Sequence, residues 1–230
     1  MARARLPLLI AILACVFAPP LAAQHITSPY HFLDTHQTVS VFFGKVSTQT
    51  GSLGLGPESG NFYGARFGYR PTTGPLALEF QVATARLKRE VLDTLRTGHD
   101  SAFARFGTAD QNLLLVFADV RFNLTGGRTW HGFQPFALFG PGVVVSTNGQ
   151  NGADRLVPQP SRFKFGTSFA AEAGAGVEWY ATSRLGLRAD ARGVFWRLKE
   201  PAAFQAQNPR RSASAWSRNG ALSASLAYHF

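Results

Sequence analysis

The sequence predicts an all-β chain that closes into one eight-stranded antiparallel transmembrane β-barrel, with short periplasmic turns and long extracellular loops. Three observations carry this prediction. The N-terminus has the layout of an export signal, and from His36 onward period-two segments alternate with breaker-rich connections. One face of those segments carries the charge, and the other is nearly free of it in mid-strand.

Arg3 and Arg5 form a basic n-region, Leu6 to Ala18 is apolar apart from Pro7, and Leu21-Ala22-Ala23 offers small residues for cleavage. This is the pattern of a secretory signal peptide, assigned to residues 1–23 with cleavage after Ala23. The apolar stretch is shorter than the roughly 20 residues that a spanning helix needs. A lipoprotein reading of Ile12-Leu13-Ala14-Cys15 fits less well, because Leu13 departs from that box. Cys15 is the one cysteine, so the mature chain forms no disulfide. The full chain carries +10; without Arg3 and Arg5, 21 basic residues face 13 acidic ones, or +8. Export argues against a nucleic-acid partner and for anionic lipid or lipopolysaccharide. No apolar run beyond the signal approaches a spanning helix, so a membrane chain must be a barrel.

Residues 24–35 read as a short periplasmic leading segment and 36–230 as the barrel. Eight strands are expected at 37–47, 60–70, 75–86, 111–124, 133–146, 167–180, 185–197 and 217–230, each long enough to cross. In the seventh, Leu185, Leu187, Ala189, Ala191 and Phe195 share one face, and Arg188, Asp190 and Arg192 the other. In the sixth, Phe169 to Trp179 alternates with Glu172, Gly174, Gly176 and Glu178. The same division sets Glu79 and Gln81 against Leu78 and Phe80, Asp119 and Arg121 against Val116 and Val120, and Arg66 against Phe67 and Tyr69. The connections 71–74, 125–132 and 181–184 are short, whereas 48–59, 87–110, 147–166 and 198–216 are long and polar, as outer-membrane barrels require.

A soluble lipocalin-like barrel would turn the charged face outward; a membrane barrel turns it inward. The charged set is Arg66, Glu79, Asp119, Arg121, Glu172, Glu178, Arg188, Asp190 and Arg192: four cations against five acids. Such near balance suits an interior ion-pair network, since buried charges persist only when paired. Gly64, Gly68, Gly174 and Gly176 on the same face leave room for arginines. Tyr69, Trp179, Tyr180, Tyr228 and Phe230 are expected at the periplasmic interface, and Phe195, Trp196 and Trp216 at the outer one. His229 is expected at the periplasmic mouth as a tolerated polar residue. Pro141, which cannot donate to a ladder, predicts a bulge or kink.

Several motifs now stand together: Tyr63-Gly64-Ala65-Arg66-Phe67-Gly68-Tyr69-Arg70, Gln134-Pro135-Phe136 leading to Gly140 and Gly142, Gly174-Ala175-Gly176-Val177-Glu178-Trp179-Tyr180, Leu185-Gly186-Leu187-Arg188, and Leu226-Ala227-Tyr228-His229-Phe230. Across the whole mature chain they resemble the OmpA-like or OmpW-like family of small porin-like outer-membrane barrels. The resemblance implies that Leu226, Tyr228 and the final Phe230 form the signal read by the barrel-assembly machinery. No peptidoglycan-binding domain is expected after the last strand, so a wall-anchoring role is not expected to carry over.

The resemblance implies an integral outer-membrane protein without enzymatic activity, structural or interactive, its lumen filled by ion pairs. The alternative is a narrow channel for small or hydrophobic solutes. A lipid A-modifying enzyme is a third class. His99-Asp100-Ser101 superficially offers its residues, but adjacent residues rarely aim base and nucleophile at each other. No catalytic, metal or cofactor site is predicted: the histidines show no paired spacing, Asn148 to Gly152 is too poor in acids for calcium, and no phosphate loop is present. Among basic residues of the loops and outer strand ends, Lys88, Arg89, Arg155, Arg162, Lys164, Arg210 and Arg211 are candidate lipopolysaccharide contacts.

Overall fold

The structure, a computed structural model, describes residues 28–51, 53–93, 104–207 and 214–230. The predicted signal peptide lies outside these residues, as do His99, Asp100, Ser101, Arg210 and Arg211. Among the described residues there are ten strands: β1 (Tyr30–Phe32), β2 (Gln37–Ser47), β3 (Gly60–Tyr69), β4 (Leu76–Asp93), β5 (Ala104–Asn123), β6 (Arg128–Trp130), β7 (Phe133–Ser146), β8 (Thr167–Tyr180), β9 (Leu185–Lys199) and β10 (Ser214–His229). Eight of them, all but β1 and β6, form the barrel. Each pairs antiparallel with its sequence neighbours among the eight, and β10 pairs with β2 to close the ring.

Closure joins the first and last strands of the wall, so the ring has no open edge strand. The stagger is readable from the register. From Lys45, partners on one side run through Asn61 and Arg86 to Asn112. On the other side they run through Leu222, Ala191, Ala175 and Ala137 to Phe122, ten residues further along β5. A stagger of this kind tilts the strands, and eight strands leave an interior that side chains can fill.

Two elements differ from expectation. β4 and β5 continue past the predicted ends, pairing from Arg86↔Asn112 up to Asp93↔Ala104. The charges of 87–93 resemble a loop, yet Leu87, Arg89 and Val91 still turn inward while Lys88 faces out, so the alternation persists. A register shift beside Val91, where Gly107 has φ 152°, accommodates one extra residue. Secondly, the leading segment is tied down: β1 pairs with β6, a short extension of the turn between β5 and β7. That turn needs left-handed backbone at Gly126, His131 and Gly132.

At Pro141 the register with β8 is unbroken. Towards β5 the pairing lapses between Phe117↔Gly142 and Val120↔Phe139 and resumes in the same register. The missing N–H therefore costs ladder bonds on one side without inserting a bulge, which corrects that part of the expectation.

The wall is apolar outside. Val41, Phe43, Phe80, Val82, Phe139, Phe169, Leu187 and Leu226 are all exposed on the outer face. Tyr69, Trp179, Tyr228 and Phe230 surround the turn end, with Tyr228 stacked on Phe230 at 6.1 Å. Two aromatics assigned to the girdles are inside instead. Trp196 is 0 % exposed, and Tyr180 turns its ring onto His229 at 4.6 Å. Both fall on the inward parity of their strands, which outranks nearness to a strand end.

Candidate functional site

The interior has two layers. In the lower one, towards the short turns, all nine charged residues of the predicted set are buried. Strand register alone would make this arrangement unfavourable, because Glu79 on β4 lies directly opposite Asp119 on β5. Arg192, reaching across from β9, neutralises both. Its Nη2 is 2.9 Å from Glu79 Oε1 and its Nη1 3.2 Å from Asp119 Oδ2. The same guanidinium pairs with Glu172 through Nη1 and with Asp190 Oδ1 through Nε at 2.7 Å.

Arg188 holds Glu79 with two nitrogens, at 2.5 and 3.1 Å, and Asp190 with its Nε at 3.1 Å. Arg66 donates to Asp190 Oδ2 at 3.0 Å, to Gln81 Oε1 at 2.7 Å and to Ser223 Oγ at 2.9 Å. Seven of the nine charged residues thus form one connected cluster. Arg121 and Glu178 form a separate pair at 2.7 Å beneath it, and Arg121 also donates to Asn123 at 2.8 Å. The Phe136 ring joins the two groups, with Arg121 and Arg188 lying 4.1 and 4.2 Å from its centroid.

Glycines make this crowding feasible. A Cβ on Gly174 would sit 2.9 Å from Arg192 Cγ, and one on Gly176 would sit 2.6 Å from the Phe136 ring. The first leaves room for an arginine, as the sequence suggests. The second leaves room for the ring between two arginines.

His229 is a further member that sequence reasoning passed over. It is buried, with Nε2 3.1 Å from Glu178 Oε1 and Nδ1 2.9 Å from Thr38 Oγ1. Its inward parity on β10, opposite that of Tyr228, was the available signal. The Tyr180 hydroxyl donates to Gln134 Oε1 at 3.2 Å beside it.

The upper layer is apolar. Phe42, Phe62, Leu113, Leu115, Phe117, Val194 and Trp196 line it from the strands. Loop residues complete it: Leu55 from 48–59, Phe163 and Phe165 from 147–166, and Phe204 from the short helix Ala202–Gln207. Phe165 meets Trp196 edge to face at 6.0 Å. Voids of about 20 Å³ among the lower polar groups and about 10 Å³ where the layers meet are the size of a single water.

The loop cations divide. Arg89 is buried, 2.5 Å from Asp154 and 5.4 Å from the Phe163 ring, so it is a pin for the 147–166 loop and not a lipopolysaccharide contact. Its inward parity continues the β4 alternation. Arg162 is half-buried and donates to Val157 O, Gln150 Oε1 and Arg155 O. Lys88, Arg155 and Lys164 are exposed. Asn148 and Asn151 accept from the Asn112 and Asp110 amides at 2.8 and 3.0 Å, fastening the loop to β5. Among the described residues, no group of three or more His, Cys, Asp or Glu is placed to hold a metal ion.

No family model matches the chain, and no curated protein matches it in sequence. Solved structures do. The outer membrane protein OprG from Pseudomonas aeruginosa superposes with a TM-score of 0.58 at 14 % identity, covering 89 % of this chain and 99 % of that one. Neisserial surface protein A aligns with a TM-score of 0.47 at 18 % identity over 88 % and 98 % of the two chains. The attachment invasion locus protein Ail of Yersinia pestis, solved with the heparin analogue sucrose octasulfate, aligns at 0.45 and 13 % identity over 85 % and 99 %. The chain has the fold of a small outer-membrane β-barrel, closed from eight antiparallel strands, with apolar side chains outside and charged ones within.

Proposed function

We propose that the chain is an integral outer-membrane protein whose barrel serves as a closed, non-enzymatic scaffold for its extracellular loops. One observation carries the reading: the lumen is occupied along its length, by paired charges below and by loop-capped apolar side chains above. Such an interior is a packed core and not a conduit. Activity then resides in what the loops present, because a rigid barrel positions variable connections.

On this reading lipid and lipopolysaccharide are the partners, with Lys88, Arg155 and Lys164 as outward contacts and Arg162 contributing through its exposed part. Arg210 and Arg211 remain candidates from sequence. Leu226, Tyr228 and Phe230 face outward on the closing strand and its end, where the assembly machinery would read them. The narrow-channel reading has one feature in its favour, the apolar upper layer, which would suit a hydrophobic solute were the loops to withdraw.

Membrane fractionation with boiled and unboiled gel samples, followed by planar-bilayer recording, tests the proposal. The expected result is a heat-shifted outer-membrane protein without steady conductance. A soluble periplasmic protein, or one with stable ion-conducting steps, would overturn it.

A further inference from the structure

The lipid-facing wall is uneven in one sector. Going up β2, the outward residues are Val39, Val41 and Phe43, and then Lys45. Lys45 lies eight positions above Gln37, the first residue of the strand. At a rise near 3.4 Å per residue and a tilt near 40°, that is roughly 20 Å above the turn end, within an apolar band of about 25 Å. A lipid-facing cation there requires a counter-charge or a route to the headgroups.

Among the described residues the protein supplies neither counter-charge nor cover. Lys45 is exposed, its registered neighbours are Leu222 on β10 and Asn61 on β3, and it makes no ion pair among the described residues. The wall beside it is hollow. Two shallow concavities of about 610 and 620 Å³ open on the outer surface, and Lys45 borders both. The lower one runs over Ala175, Ala189 and Ala224 between the larger Phe43, Val177 and Leu222. The upper one passes Ala191, Gly193 and Gly220 and reaches the polar Ser47, Ser59 and Asn61.

We propose that this furrow binds lipid A of the outer leaflet, one acyl chain lying along the small residues of β8, β9 and β10 and one phosphate against Lys45. The assignment follows from the pairing of an apolar trough with a cation at its midpoint, Lys45, that has no ion-pair partner among the described residues. A neutral lipid would fill the trough and leave the charge; a soluble anion would meet the charge and leave the trough. Hydrogen-bonding groups at Ser47, Ser59 and Asn61 lie on the headgroup side. The inference rests on the outer-membrane placement proposed above.

Gly220 offers a clean way to block the trough. No atom lies within 4 Å of where its Cβ would project. Gly220→Phe therefore starts its side chain in open space on the furrow side, and Lys45→Gln removes the charge alone. The refolded barrel, held in a zwitterionic detergent, would be titrated with diphosphoryl lipid A and, separately, with the same lipid after removal of its phosphates. Native mass spectrometry would count what is retained. The expected result is one lipid A per wild-type barrel, with at least tenfold weaker retention of the dephosphorylated lipid and of lipid A by either variant, all three proteins still shifting on heating.

No retention by the wild type, or equal retention of both lipids, would overturn the proposal, and neither arm depends on a variant folding. Equal retention by wild type and Lys45→Gln would overturn it as well. Failure of the outer-membrane placement shows separately, as a wild-type chain absent from the outer-membrane fraction of expressing cells.

Discussion

The two layers of the lumen fill the same cylinder with opposite chemistry. Below, four arginines and five acids from five strands are joined by specific bonds. Above, apolar side chains from the strands are completed by residues that descend from three loops. The lower layer is directional: each oxygen needs a particular nitrogen, and a partner removed leaves a stranded charge in a low dielectric. The upper layer depends on volume, and neighbours can relax to refill part of a gap. The lower layer is also built wholly from strands, whereas the upper one joins the wall to its loops. This difference teaches which half holds the barrel together and which half couples it to the outside.

The sharpest way to break the contrast is Arg192→Met, which leaves Asp119 and Glu172 without a cation and takes one from Glu79 and Asp190, each of which keeps Arg188. The expected loss lies at the upper end of the ~3–5 kcal/mol seen when a buried pair loses one member. Urea unfolding in lipid vesicles would measure it, and a loss under ~1 kcal/mol would mean that the network is not integral to the core. In the upper layer, Trp196→Ala removes a fully buried ring and is expected to cost about 3 kcal/mol, at the low end for such truncations because Phe165 can move in. The same unfolding assay decides. A Trp196→Ala loss exceeding that of Arg192→Met would reverse the comparison.

A smaller effect is expected where the layers meet the loops. Arg89→Ala removes the pin on Asp154 and should cost roughly 2 kcal/mol, the scale of a charge-assisted hydrogen bond. Its distinguishing readout is protease cutting within 147–166, expected to speed up while the barrel still shifts on heating. Unchanged cutting would show that the two asparagine clasps hold the loop without Arg89. The smallest effect belongs to the exposed Arg105–Glu90 pair at 2.9 Å. Arg105→Ala should change stability by less than ~1 kcal/mol, as for surface ion pairs in general. A larger loss would mean that the upper β4–β5 ladder bears on the barrel more than its exposure suggests.

The barrel strands and the inward set were legible because alternation is a local signal. Each strand's two faces are written into successive residues, and the inner half of the wall accepts charge only if it is paired. Where legibility failed, parity was overridden by a weaker cue. Arg89 was assigned to a loop because of surrounding charge, Trp196 and Tyr180 to interfaces because of their position near strand ends, and His229 to mere tolerance. Each follows the inward parity of its strand. The Pro141 expectation went wrong differently: an N–H can be missing on one side of a strand without any change of register.

By itself the sequence determined that this chain is a barrel turned inside out, since period-two patterning and the balance of charge on one face are properties of neighbouring residues. It also determined which nine side chains would be confined together. Only the tertiary structure decided that Arg192 serves four acids, that two arginines share the Phe136 ring, and that Leu55, Phe163, Phe165 and Phe204 seal the upper lumen. Those contacts join residues far apart in the chain, and their geometry depends on strand stagger and loop path, which alternation within a single strand does not encode.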